Sequence, residues 1–200
     1  MSNGECRMTN SGPTRRQARR GGGVASIKRV AIGADHGGFA LKAKLIALLQ
    51  AKGIEVADLG THSPAPCDYP PIGYKVASAV AEKRFDRGIL LCKSGIGIAI
   101  VANKVPGIRA AVCGGAVDAE RSRAHNDANV LAMGAETLTP AQAKRIVETW
   151  LATPFESGGR HERRVRQISA IERKLCRLRA STQHTPPQFS GSTQKRGRTA

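Results

Sequence analysis

The sequence predicts an α/β fold, a three-layer α/β/α sandwich around a five-stranded parallel sheet. Two patterns carry that expectation. Short apolar runs of strand length recur five times, and stretches with helical apolar spacing separate most of them. Strands joined in this way need right-handed crossovers, which place helices on both faces of the sheet.

Arg29-Val-Ala-Ile-Gly33 is short and apolar enough for a strand buried on both faces. After a Gly-rich turn, Leu41, Leu45, Leu48 and Leu49 share a helical face, and Gly53 ends that helix. Ile54–Asp58 is the second strand. Residues 60–71 hold four prolines and are expected as a loop, with a helix from Tyr74 to Lys83 behind it. Gly88-Ile-Leu-Leu-Cys92 is the third strand, followed by a Gly-containing turn and a helix over Ile96–Lys104. Ile108–Val112 and Asn129–Met133 are the fourth and fifth strands, and no element is expected between them. Thr139 as N-cap with Pro140 in the first turn opens a further helix. A last helix covers about His161 to Leu175.

The chain divides into a basic disordered extension over 1–27, a folded domain over 28–175 and a basic disordered tail over 176–200. The net charge of +17 supports that division, because about two thirds of the excess lies in residues 1–28 and 174–200. Neither flank has a periodic apolar face. Such tails attract phosphate backbones or anionic surfaces in a salt-sensitive way, but without aromatic or motif support they read first as solvated extensions. No apolar run reaches the roughly 18 residues that a spanning helix needs. Thr14-Arg15-Arg16 is followed by Gly21-Gly22-Gly23 rather than an apolar stretch, so no secretory leader is read. Five cysteines without regular spacing and without a C-x-x-C pair argue against a disulfide framework or a structural zinc site. The expectation is a soluble, cytoplasmic protein without membrane contact.

In parallel sheets of this kind ligands sit beyond the carboxyl ends of the strands, at a topological switch point. That rule selects Ala34-Asp35-His36-Gly37-Gly38 and Cys92-Lys93-Ser94-Gly95-Ile96-Gly97. Cys92 precedes a helix N-terminus, whose partial positive charge favours a thiolate. Ser94, Gly95 and Gly97 leave backbone N–H groups for an anion. Cys113 also ends a strand before two glycines, so local context alone does not separate the two thiols. A cysteine-phosphatase loop is excluded, since Ile98 stands where its arginine belongs; nucleotide loops are excluded for want of their glycine and lysine pattern. His36 and His125 lack metal-ligand spacing. Arg123-Ala-His125-Asn126-Asp127 gathers polar groups before the fifth strand, and Arg160, His161 and Arg164 share a helix face suited to a phosphate or to plain solvation.

Together these segments resemble the ribose-5-phosphate isomerase B family, also called the ribose/galactose isomerase family. The resemblance rests on Gly33-Ala-Asp35-His36-Gly-Gly-Phe39, Asp68-Tyr69-Pro70, Cys92-Lys-Ser94-Gly95-Ile-Gly97 and Ala102-Asn103-Lys104. It continues through Gly107-Ile108-Arg109-Ala110, Ser122-Arg123-Ala-His125-Asn126-Asp127-Ala-Asn129-Val-Leu131, and Gly158-Gly159-Arg160-His161 with Arg164-Val165. These lie in family order across about residues 28–173, and seven in register are specific where each alone is weak. The resemblance implies a Rossmann-like fold and an aldose–ketose isomerase of ribose 5-phosphate and ribulose 5-phosphate, working through an enediolate without metal or nucleotide cofactor. It implies that Cys92 is the base moving a proton between C1 and C2, with Ser94 assisting and the backbone N–H groups of Ser94–Gly97 holding the enediolate oxygen. His125 is implied to open the sugar ring, while Asp35 and Asn126 hold hydroxyls and Tyr69 lines the pocket. His36, Arg160, His161 and Arg164 are implied phosphate ligands. The implied assembly is a homodimer with shared sites, with a tetramer as the larger alternative.

Two residues depart from the family pattern: Glu136 where many members carry a phosphate-binding arginine, and Lys93 where a small residue is common. They bear on substrate identity more than on reaction type. The alternatives are therefore a six-carbon isomerase, acting on allose or galactose 6-phosphate, and a catalytically idle binder of sugar phosphate or RNA. The intact set of Cys92, Asp35 and His125 weighs against the idle reading.

Overall fold

The structure is a computed structural model and describes residues 27–181. The expectation of disorder over 1–26 and 182–200 lies outside those residues. Eleven elements follow in order: β1 (Arg29–Ala34), α1 (Phe39–Ala51), β2 (Glu55–Asp58), α2 (Tyr69–Ala81), β3 (Arg87–Cys92), α3 (Ile96–Ala102), β4 (Ala110–Val112), α4 (Ala116–Asn126), β5 (Val130–Gly134), α5 (Pro140–Ala152) and α6 (Arg160–Ser181). The five strands form one sheet in the order β2-β1-β3-β5-β4, and each neighbouring pair is parallel.

Alternation along each strand divides the core into two layers. Val30, Ile32 and Ala34 of β1 face Leu41, Leu45 and Leu49 of α1, with Ile146 and Trp150 of α5 completing that side. Ala31 and Leu90 face the other way, onto Val76 and Val80 of α2 and Ile98 of α3. The expected three-layer sandwich is the observed one. The capping of α5 also follows expectation: Thr139 Oγ1 accepts from the Gln142 N–H at 3.3 Å, and Gln142 Oε1 accepts from the Thr139 N–H at 2.8 Å. No helix among the described residues is long and apolar enough to cross a membrane.

Three elements differ from the sequence expectation. Helix α2 begins at Tyr69, so Pro70 and Pro71 belong to its first turn rather than to a loop; that turn has no intrahelical acceptor to lose. Helix α4 was not expected at all. Its buried residues are Ala119, Ser122, Arg123 and Ala124, which present no large apolar face to read. Helix α6 runs to Ser181, past Leu175 and across the 175/176 boundary drawn for the tail.

Chain direction fixes where each side chain lies. The carboxyl ends of β1 and β3 stand side by side, with Ala34 level with Leu91. Helix α4 returns antiparallel to the strands and ends just before β5 begins. Its last residues therefore lie at the amino-terminal pole, a strand length of roughly 16 Å from Cys92 by the rise of the five-residue β5.

Candidate active site

At the carboxyl-terminal pole the β3–α3 turn is built around Cys92, which is 5 % exposed. The Gly95 N–H donates to its Sγ at 3.0 Å. Gly95 adopts φ +78°, and a Cβ at this position would lie 2.8 Å from the Met133 carbonyl carbon, so only glycine fits. Ser94 is exposed, and its Oγ accepts from the Ile96 N–H at 3.3 Å. Two of the N–H groups expected to face an oxyanion are thus already engaged. The Gly97 N–H, in the first turn of α3, has no intrahelical acceptor and is left for that role. Tyr69 packs its ring and hydroxyl directly on Gly97, where a Cβ would stand 2.7 Å from the Tyr69 oxygen.

The β1 loop closes the same pole. Asp35 is buried, and its Oδ1 accepts from the Gly38 N–H at 3.1 Å, while its own N–H reaches the Leu91 carbonyl at 3.2 Å. His36 Nδ1 lies 3.2 Å from both the main-chain nitrogen and oxygen of Cys67, which fixes the ring orientation. The Cys67 loop is in turn tied down by Lys42, 1 % exposed, whose Nζ donates to Asp58 Oδ1 at 2.6 Å and to the Thr61 carbonyl at 2.5 Å.

Lys93 and Glu136, the two departures, form an ion pair at 3.4 Å on the rim of this pole. The Glu136 N–H also donates to the Lys93 carbonyl at 3.1 Å. The carboxylate that would repel a phosphate is therefore offset by the cation beside it. Cys113 supplies the contrast left open by the sequence. Burial pushes its thiol up to about 11, the Ser122 hydroxyl opposing the rise and Asp118 adding a smaller push.

The remaining candidates gather at the other pole. His125 and His161 stack face to face, with centroids 4.1 Å apart and planes 7° from parallel. Glu156 lies 4.0 Å from His125 Nε2 and 3.8 Å from His161 Nε2. Burial, then His125 and Arg160, hold His161 below the usual histidine range, which favours its neutral form. Asn126 is exposed, and Arg160 and Arg164 project from the first turn or so of α6. The ligand atoms of His125, Glu156 and His161 lie within 4.8 Å of one another. Parallel stacked rings nevertheless aim their in-plane lone pairs side by side rather than at one point.

The twelve candidates thus fall into two clusters. Asp35, His36, Tyr69, Cys92, Ser94, Gly95 and Gly97 share the carboxyl-terminal pole; His125, Asn126, Arg160, His161 and Arg164 share the amino-terminal one. His36 is therefore remote, within one chain, from the cations with which it was grouped as a phosphate ligand. Glu156 was missed by sequence reasoning because it stands in no motif, and its place between His161 and the distant His125 appears only once α4 and α6 are packed together.

The parallel five-stranded sheet covered by helices on both faces, with a hydrogen-bonded thiol at a strand end and a separate histidine–arginine cluster, places the chain among Rossmann-like α/β proteins. The model of the Ribose/Galactose Isomerase family matches residues 30–168, and the chain belongs to that family. It is 49 % identical over 148 residues to ribose-5-phosphate isomerase B of Escherichia coli, covering 74 % of this chain and 99 % of that protein. A solved ribose-5-phosphate isomerase B of Clostridium thermocellum is 50 % identical with a TM-score of 0.72, covering 74 % of this chain and 99 % of its own. The Mycoplasma genitalium ribose-5-phosphate isomerase B, solved with bound ribulose-5-phosphate, is 36 % identical with a TM-score of 0.70, covering 73 % and 97 %.

Proposed function

We propose that the chain interconverts D-ribose 5-phosphate and D-ribulose 5-phosphate, and that two copies build each site by joining opposite poles. The observation that carries this reading is the Cys92 thiol held by the Gly95 N–H at 3.0 Å beside a turn with a spare donor. As thiolate, Cys92 takes the C2 proton of the open-chain aldose. The C–H electron pair forms the enediolate, whose negative oxygen falls to the Gly97 N–H. Ser94 moves a proton between the two oxygens, and Cys92 returns the first proton to C1 to give the ketose. His125 opens the furanose ring, Asp35 and Asn126 hold hydroxyls, Tyr69 walls the pocket, and the phosphate is held by Arg160, His161 and Arg164 together with His36.

Within one chain these roles are a strand length apart, so a single copy cannot complete the cycle. A two-fold homodimer brings the amino-terminal pole of one copy over the carboxyl-terminal pole of the other, twice. Exposed apolar side chains are available for such an interface: Ile96 and Ile100 on α3, Val117 on α4, and Ile168, Ile171 and Leu175 on α6. The catalytic unit is residues 28–175 with the α6 extension, and the basic flanks take no part. A cysteine base needs a reducing compartment, and the described cysteines are free, which fits the cytoplasm. The rim pair Lys93–Glu136 favours a test of sugar length, with six-carbon phosphates as the second reading. A coupled assay over five- and six-carbon aldose phosphates should give the highest kcat/KM on ribose 5-phosphate; a preference for allose or galactose 6-phosphate would replace it.

The phosphate clamp makes its own prediction. Arg160→Ala and Arg164→Ala should each raise KM for the sugar phosphate by about one to two powers of ten, as expected for one charge-assisted hydrogen bond lost. Both side chains are exposed, so Tm should barely move. Steady-state kinetics beside a melting curve separates the two effects, and an unchanged KM in both variants returns this face to solvent.

A further inference from the structure

A cavity of about 300 Å³ opens at the amino ends of β1, β3 and β5, and none of the twelve candidate residues lines it. Its charged and polar wall is Lys83, Asp86, Arg87, Arg109, Asp127 and Asn129. The carboxylates here are already committed. Asp127 receives Arg109 on one oxygen and Arg123 on the other, each at 2.7 Å. Asp86 Oδ2 accepts the N–H groups of Lys28 and Arg29, both at 2.9 Å.

Arg87 is the cation left over. It has no carboxylate within ion-pair distance among the described residues. Its Nη1 donates to the Asp86 main-chain carbonyl at 2.9 Å, and its buried Nε has no acceptor. The guanidinium lies 6.0 Å from the centre of the Trp150 ring, and Arg123 lies 5.9 Å from the same ring. Burial, then Arg123, press against its charge, and Asp127 and Asp86, beyond ion-pair distance, offset only part of this. A half-buried guanidinium that makes no ion pair, beside carboxylates already engaged by other groups, can be satisfied by an anion from solution.

We propose that this basal cavity is a second anion site, taking a phosphate dianion or the phosphate group of a small metabolite between Arg87 and Lys83, with Arg109 as its third cationic wall. The volume lies at the small end of ligand pockets, enough for a phosphate with a few carbon atoms attached. The site is separate from the isomerase reading, since its occupancy can be measured without any turnover.

The test uses the Arg160→Ala/Arg164→Ala double variant of the full chain, in which the proposed catalytic clamp is removed. Inorganic phosphate at about ten times its Kd should still raise Tm by roughly 3–6 °C. Adding Arg87→Gln should abolish the rise. Lys83→Glu, at an exposed position, should weaken binding about tenfold or more and serves if Arg87→Gln folds poorly. Titration with ribose 5-phosphate in the same background identifies the source: tighter binding than inorganic phosphate assigns a phosphate ester, and weaker binding assigns the free ion. No rise in the double variant overturns the proposal, as does a rise that both Arg87→Gln and Lys83→Glu leave intact.

Discussion

Cys92→Ser should lower kcat for the sugar phosphate by about two to four powers of ten while leaving KM little changed, the range expected when a general base is lost. A serine hydroxyl at this position keeps the Gly95 N–H as a neighbour but is not ionised near neutral pH. The proposed phosphate clamp and hydroxyl ligands are untouched, so binding should survive. Cys113→Ser is the control. That thiol is buried and pushed up to about 11, which leaves almost none of it ionised at neutral pH. The control variant should therefore keep its turnover. Equal activity in Cys92→Ser and the wild type, measured on purified protein, would remove the thiol from the mechanism.

His125→Ala should be nearly as severe on ribose 5-phosphate, about a hundredfold or more in kcat/KM, because the furanose must open before its C2 proton is acidic. The loss should shrink on an aldose phosphate too short to close a five-membered ring. The comparison separates ring opening from simple damage, since a disturbed pole would hurt both substrates alike. Damage is the competing outcome to watch, because His125 also stacks on His161 and faces Glu156.

The three central strands were legible because each is a contiguous apolar run buried on both faces, as Val30–Ala34 and Ile89–Leu91 are. The start of α2 was misread because prolines mark both loops and first turns, and Pro70-Pro71 are of the second kind. Helix α4 was invisible because its packing face is alanine, serine and an arginine tied to Asp127. That omission hid how the second cluster is held. The position of His125 and Asn126 just before the fifth parallel strand puts them at the pole opposite Cys92, but without α4 nothing fixes their side chains there. The two glycine-bearing loops were legible because their functional groups lie within a few residues of one another. The pairing of Lys93 with Glu136 was not, since it depends on β3 lying beside β5 with Cys92 level with Gly134. Sequence reading sees two separate departures where the sheet order makes one neutral pair.

The central claim, that each site joins the thiol pole of one copy to the histidine pole of another, is tested by mixing two inactive chains. Cys92→Ser spoils only the first pole and His125→Ala only the second. Unfolded together at equal amounts and refolded, they should exchange at random into two-fold dimers. Half of those dimers are mixed, and each mixed dimer holds one site with both poles intact, so activity should return to about a quarter of the wild-type value. A mixture no more active than its separate parents, with mixed dimers confirmed by mass, would contradict a shared site and leave Cys92 and His125 without a common reaction.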